Sequence, residues 1–372
     1  MRILPQQAKK SDIIYLLTVL VLCLFGIVMI SSSSMVLSME RYGTNYHYVL
    51  RQIGSLVIGL ILMFITYSID YRNWKKLALW LFLANIVLLL LVFIPGIGHK
   101  IGGASRWIGF GNFLFQPSEI VKLSFIIYLA AWLDKKGENI KQFLRGFLPF
   151  AILILFISFL IMKQPDLGTM LVIAGTAAVM FFISGADLWH LFFGLGFSAG
   201  FIVILIKAAP YRMQRLLVFL NPSLDTQGAS YHINQALLAI GTGGLWGLGF
   251  GQSRQKYLYL PMAHTDSIFA IIAEELGFLR TSLVLLAFLF LGLRGFKIAK
   301  NTPDNFSRIL ATGITCWILI QTFINIGSML GVLPMTGVPL PFISYGGSSL
   351  IVLLAAVGIM LNISKASTGD NI

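Results

Sequence analysis

Apolar runs alternate with short polar segments along the whole chain, at roughly 13–31, 48–69, 77–94, 119–133, 146–162, 168–184, 188–207, 267–293, 309–330 and 348–362. A helix rises about 1.5 Å per residue, so about 20 apolar residues cross a bilayer. The pattern predicts an all-α integral membrane protein with about ten transmembrane helices, forming one polytopic domain over residues 1–372. The first run is too long for a signal peptide, so an uncleaved first helix is expected.

The segments between the runs are unequal. A long loop, about 208–266, separates the seventh and eighth predicted helices. It carries Arg212 and Arg215 at i, i+3, then the glycine-rich run 241–251, and its apolar residues and tryptophan argue for a partly helical interfacial element. Segments 95–118 and 331–347 are rich in glycine and proline, so they must be buried in protein or line a cavity. The glycine-rich run lacks the Gly-Lys-Ser/Thr ending of a phosphate loop; close packing or sharp turns explain it better.

Composition agrees with the pattern: 57% of residues are apolar and only 11% charged, against about 25% charged in soluble domains. The net charge of +13 does not point to nucleic acid. The lysines and arginines cluster in alternate inter-helix segments, which the positive-inside rule places in the cytoplasm together with both termini. The elaborate loops then lie on the outer face. Cys23 and Cys316 sit in apolar runs and encode no disulfide framework.

Only fourteen acids are present, and three share the stretch 260–277, LPMAHTDSIFAIIAEELG. Asp266 precedes the eighth helix, and Glu274 would lie roughly 12 Å deeper. Glu275 points about 100° away from Glu274, so the two cannot form one dyad. Acids at such depth are functional candidates, although pairing with Arg280 is a structural alternative. Glu119 and Lys122 share a helix face, either meeting a phosphate or forming a structural ion pair. Asp166 either caps the sixth helix or lines the site. His264 has no second histidine at ligand spacing, and reads as a hydrogen-bonded interface residue. On the residues alone, an ion-coupled transporter and a membrane enzyme with an interfacial carboxylate both stand.

Several motifs together resemble the SEDS family of bacterial cell-wall proteins, which includes RodA, FtsW and SpoVE. They are RWI at 106–108, FQPSEIVKL at 115–123, QPDLGT at 164–169, YRMQRLLVFLNP at 211–222, ALLAIGTGGLWGLGFGQSRQKYLYLP at 236–261, HTDSIFAIIAEELGF at 264–278 and PMTGVPLPFISYGGSS at 334–349. The compact GLGFGQSRQKYLYLP segment is closest to the division branch, FtsW, a pattern that SpoVE shares. Met262, Ser267 and Arg280 depart from the family, which usually has Glu, Phe and a small residue there.

The resemblance implies a peptidoglycan glycosyltransferase that polymerises lipid II in the bacterial cytoplasmic membrane, with its active site on the outer face. Asp266 matches the essential aspartate and would act as general base, with undecaprenyl pyrophosphate as leaving group. Lys122, Arg106, Arg212 and Arg215 would compensate the pyrophosphate, with or without a divalent cation (Mg or Mn), and Glu119 and Asp166 would orient them. His264, Glu274 and Glu275 are supporting candidates. The family implies a class B penicillin-binding protein, a transpeptidase, and other division or elongation proteins as partners. A lipid II flippase or ion-coupled transporter is the alternative.

Overall fold

The computed structural model describes residues 11–101, 104–110, 113–207, 210–221 and 230–366. The chain opens with α1 (Ile13–Ser33), α2 (Met35–Tyr42), α3 (His47–Ser68) and α4 (Tyr71–Leu91). Strands β1 (Gly98–Ile101), β2 (Ala104–Phe110) and β3 (Phe113–Phe115) follow, then α5 (Pro117–Lys136). A 3-10 turn and a π turn lead into α6 (Leu148–Lys163), α7 (Leu167–Ile183) and α8 (Leu188–Lys207). The chain continues through α9 (Pro210–Leu220) and α10 (Tyr231–Gly243) to α11 (Ile268–Lys300), α12 (Asn305–Met329) and α13 (Gly347–Lys365).

A helix stands at each of the ten positions that the apolar runs predict. Among the described residues, seven stretches are long and apolar enough to cross a membrane, and α7 is a shorter apolar helix. Burial sorts them. In α12 and α13, 83% of the apolar window is buried within the protein, against 17% in α3, so the first two form the centre and α3 lies at the rim. The rim helices still present leucine and phenylalanine outward, Leu50 and Phe64 among them, as a lipid-facing surface requires. At the centre, Gly358 of α13 meets the backbone of Met63 and the hydroxyl of Thr66 where a Cβ would collide. This close approach lets Thr66 Oγ1 donate to the Ala355 carbonyl at 2.9 Å.

The bundle has two unlike ends. At one end Asp12 caps α1, pairs with Arg294 at 2.8 Å and donates its backbone N–H to Ser364 Oγ at 3.0 Å. Other basic residues stand near it: Lys365 lies over the ring of Tyr67, which reaches Ser11, and Lys75 pairs with Asp134. The opposite end carries the irregular segments. There the structure differs from the all-α expectation: β1, β2 and β3 form a small antiparallel sheet in the order β1-β2-β3, with Ile108 opposite both Gly98 and Phe115 and buried beneath. The long loop is partly helical, as its sequence suggests, and holds α9 and α10.

After α10 the glycine-rich run folds back against α11. Leu248 and Gly249 donate to the carbonyls of Glu274 and Glu275, and Phe278 and Leu279 donate to those of Gly244 and Leu245. The exchange is possible because α11 breaks at Gly277, whose φ of 74° suits glycine. Gly247, at φ 81°, touches it backbone to backbone with no room for a Cβ on either. The glycines therefore serve packing and turning rather than phosphate binding.

Candidate active site

The irregular end is assembled by α12. Segment 334–341 contains three prolines and cannot form a helix, so its carbonyls need partners. Gln321 and Asn325, one turn apart on α12, supply them. Gln321 Nε2 donates to Pro339 O at 2.9 Å, and Asn325 Nδ2 donates both to Val338 O and to Asp266 O at 2.8 Å. The same asparagine thus fixes the cover segment and the main chain of Asp266.

The half-buried side chain of Asp266 lies beneath Gly337, with Oδ2 3.6 Å from where a Cβ would stand. Gly337 has φ +73° and leaves bare backbone over the carboxylate. Thr265 Oγ1 donates to Asp266 Oδ1 at 3.0 Å. Burial pushes the carboxyl above its ordinary range; nearby His232, the Thr265 hydrogen bond and Arg215 oppose that rise. Arg215, exposed on α9, donates to the Met335 carbonyl at 3.2 Å at the edge of the cover segment. The backbone of Arg212 belongs to α9 as well, but its side chain lies outside the described residues. His264 is buried against Tyr48 and Tyr345, with ring centroids at 4.6 and 5.4 Å. Burial and the charge of Arg41 pull it down to about 4, so it is neutral at pH 7.

A second constellation lies behind α12. Glu119 and Lys122 on α5 form an ion pair at 2.9 Å. Lys122 Nζ also donates to Gln321 Oε1 at 2.9 Å and stands over the Trp317 ring. Only 1% of its side chain is exposed, so it acts on the cover segment through Gln321 rather than from an open surface. Asp166 caps α7, accepting from Thr169 N at 3.1 Å and Thr169 Oγ1 at 2.9 Å. Arg106, half-buried on β2, clamps the turn before it by donating to the carbonyls of Gln164 (2.9 Å) and Pro165. Gly168 packs against Thr336 and Val338, so this turn braces the same cover segment.

Glu274 and Glu275 stand apart, deeper along α11. Glu274 accepts from Ser253 Oγ and from the backbone N–H groups of Arg254 (3.1 Å) and Gln255 (3.4 Å). Glu275 accepts from Ser32 Oγ at 2.6 Å and pairs with buried Lys256 at 3.3 Å. Arg280 is not their partner: it is exposed and donates to the Trp246 carbonyl. Among the described residues no three His, Cys, Asp or Glu side chains gather as metal ligands. The described residues therefore build no cation cage of their own.

The sequence reading passed over Gln321, Asn325, Gly337 and His232. The first two are polar residues one turn apart inside an apolar run, a signal that marks a bundle-facing site. Gly337 and His232 carry no such mark.

An apolar helical bundle with seven stretches, among the described residues, long and apolar enough to cross a membrane is the frame of a polytopic membrane protein, with the cover segment, Arg215 and Asp266 gathered at one end. Residues 12–369 match the model of the cell cycle protein family of FtsW, RodA and SpoVE, and the chain belongs to that family. It is 45% identical to the stage V sporulation protein E of Bacillus subtilis, over 96% of this chain and 99% of that protein. It is 41% identical to a probable peptidoglycan glycosyltransferase FtsW of Geobacter metallireducens, over 98% of this chain and 97% of that one. Among solved structures, a chain of a peptidoglycan synthase complex that coordinates polymerization and crosslinking superposes with a TM-score of 0.80, at 30% identity over 97% of this chain and 99% of that one. The rod shape determining protein RodA of Thermus thermophilus gives a TM-score of 0.71 at 30% identity, over 97% and 98%.

Proposed function

We infer that this chain is a peptidoglycan glycosyltransferase that polymerises lipid II, with Asp266 as general base. The observation that carries this reading is the half-buried Asp266 carboxylate under bare backbone at Gly337, lightly hydrogen-bonded and raised above the ordinary carboxylate range. A sugar hydroxyl is a weak nucleophile, and a base of raised pKa removes its proton more effectively as attack proceeds. In the step, the acceptor hydroxyl oxygen bonds to the anomeric carbon of the donor and its proton passes to Asp266. The bond from that carbon to undecaprenyl pyrophosphate breaks, and the leaving group takes the electron pair with inversion at carbon.

Arg215 is the cation best placed for the departing pyrophosphate, being exposed and within electrostatic reach of Asp266. Arg212 extends the same helix. Arg106, Asp166, Glu119 and Lys122 brace segment 334–341 over Asp266, and His264 packs between Tyr48 and Tyr345 beside it. A divalent cation shared with the pyrophosphate would supply further charge compensation, and no step above requires it. The basic end of the bundle faces the cytoplasm, and the site faces outward. A class B penicillin-binding protein acts beside it, which the similarity to a polymerising and crosslinking complex supports. The flippase or transporter reading needs free intramembrane acids, whereas Glu274 and Glu275 are both tied to segment 253–256.

The test is purified protein, with and without its transpeptidase partner, incubated with lipid II and scored for glycan strands. Asp266→Asn is expected to lower the rate by about 10²–10⁴-fold. Retained polymerisation in that variant would overturn the assignment.

A further inference from the structure

We propose that His232 is a positioning residue for Asp266, acting through the hydroxyl of Ser267. The proposal rests on the base assignment above and deepens it. His232 lies in the first turn of α10, and its Nε2 is 2.6 Å from Ser267 Oγ. Ser267 is fully buried, and its Oγ donates to the Pro261 carbonyl at 3.0 Å. A hydroxyl has one proton to give. With that proton directed at Pro261, Ser267 must accept from the ring, which fixes His232 as the Nε2–H tautomer and leaves the lone pair on Nδ1.

The consequence is a grip on both sides of Asp266. From α12, Asn325 holds its carbonyl; from α10, His232 holds the next residue, and through it the turn back to Pro261. Between them the carboxylate is kept under Gly337 rather than swinging toward Thr265 alone. A displacement of about 1 Å at a reacting group costs on the order of 10²-fold in rate, so a small loss of grip is visible in kcat while substrate binding elsewhere is untouched.

Charge adds a second signature. The groups facing the imidazole are Asp266 from the turn and Arg215 from α9. Asn325 of α12 and the backbone at Met335 and Gly337 bring none, and Arg41 faces His264 on the other side. Burial first, and Arg215 second, hold the imidazole below its ordinary range against the pull of Asp266. It is neutral near pH 7 and accepts a proton as pH falls, which in turn favours the ionised form of Asp266. Replacing it removes that compensation, so the acid limb of the rate profile moves to higher pH.

The experiment measures lipid II polymerisation against pH for wild type, His232→Leu, His232→Gln, Ser267→Ala and Asp266→Asn, each with its transpeptidase and checked for monodisperse elution. His232→Leu and Ser267→Ala are expected to lose about 10–100-fold in kcat with KM within about twofold. His232→Gln keeps an N–H donor and is expected within about threefold of wild type at its optimum, with the acid limb displaced upward. Equal losses in the Leu and Gln variants with an unmoved acid limb would overturn the proposal, as would full activity in His232→Leu. An active Asp266→Asn would overturn the base assignment itself. An inactive one beside an active His232→Leu would sink only the positioning role.

Discussion

Asp266 and the pair Glu274–Glu275 belong to one stretch of chain and lie only two turns apart, yet they have opposite circumstances. The deeper pair is tightly tied: Ser253 and backbone N–H groups hold both oxygens of Glu274, and Ser32 and the Lys256 ammonium hold Oε1 of Glu275, whose Oε2 alone has no hydrogen-bond partner. Asp266 has one side-chain donor, a bare glycine above it, and an asparagine holding its backbone rather than its carboxylate. A buried carboxylate tied by several donors and a buried counter-charge stabilises structure; one held by a single side-chain donor keeps its basicity for a substrate. Depth in the membrane does not separate the two cases. Partners do.

The sharpest way to break this comparison is to neutralise each acid in turn. Asp266→Asn should abolish polymerisation to the extent given above while leaving the thermal midpoint equal or higher. The sign follows from the raised carboxyl: folding favours its protonated form, so ionisation opposes folding above the raised pKa, and the amide removes that opposition. Glu275→Gln should do the reverse. It leaves buried Lys256 without its counter-charge, at a cost of about 3–5 kcal/mol in stability, read as a lower midpoint with activity per folded molecule retained. A large activity loss in well-folded Glu275→Gln would erase the distinction.

Smaller effects sharpen it. Gly277→Ala forces a Cβ into the backbone of residues 245–247 at φ +74°, and should cost on the order of 1–3 kcal/mol or more, again without a specific loss of turnover. His264→Gln tests the packing beside Asp266. With His264 held down to about 4, its contribution to stability is full above the ordinary histidine range and is lost as pH falls from about 6.5 toward 4. Midpoints measured across that window should fall less steeply in the variant than in wild type.

Much of this fold is legible in the sequence because lipid imposes it. A run of about 20 apolar residues has few alternatives to a helix, and all ten runs became helices. The sheet was harder to see. Its strands are three to seven residues long, too short for alternation to outweigh the surrounding glycines, although Gly102-Gly103 and Gly111-Asn112 are hairpin dipeptides in the sequence. Of the site, Asp266 and Arg215 stood out as charges beside apolar helices and do meet near one cover segment. Lys122 stood out equally and is sealed inside, because spacing reveals which residues share a face but not what covers that face. His232 was invisible for the converse reason: its importance comes from a hydrogen bond to Ser267, 35 residues away.

The reversal of α10 and the glycine-rich run also bears on biogenesis. Its backbone groups find their partners on α11, which the ribosome delivers later, so segment 230–260 cannot settle in lipid on its own. A chain ended at residue 266 should therefore leave that segment open to protease, and one extended past 300 should protect it. Ser32 on α1 bonds both Lys256 and Glu275, so the first helix must also be in place for these contacts to close. One of the earliest-made helices thus latches onto a segment made more than 200 residues later, Ser32 and Lys256 being 224 positions apart.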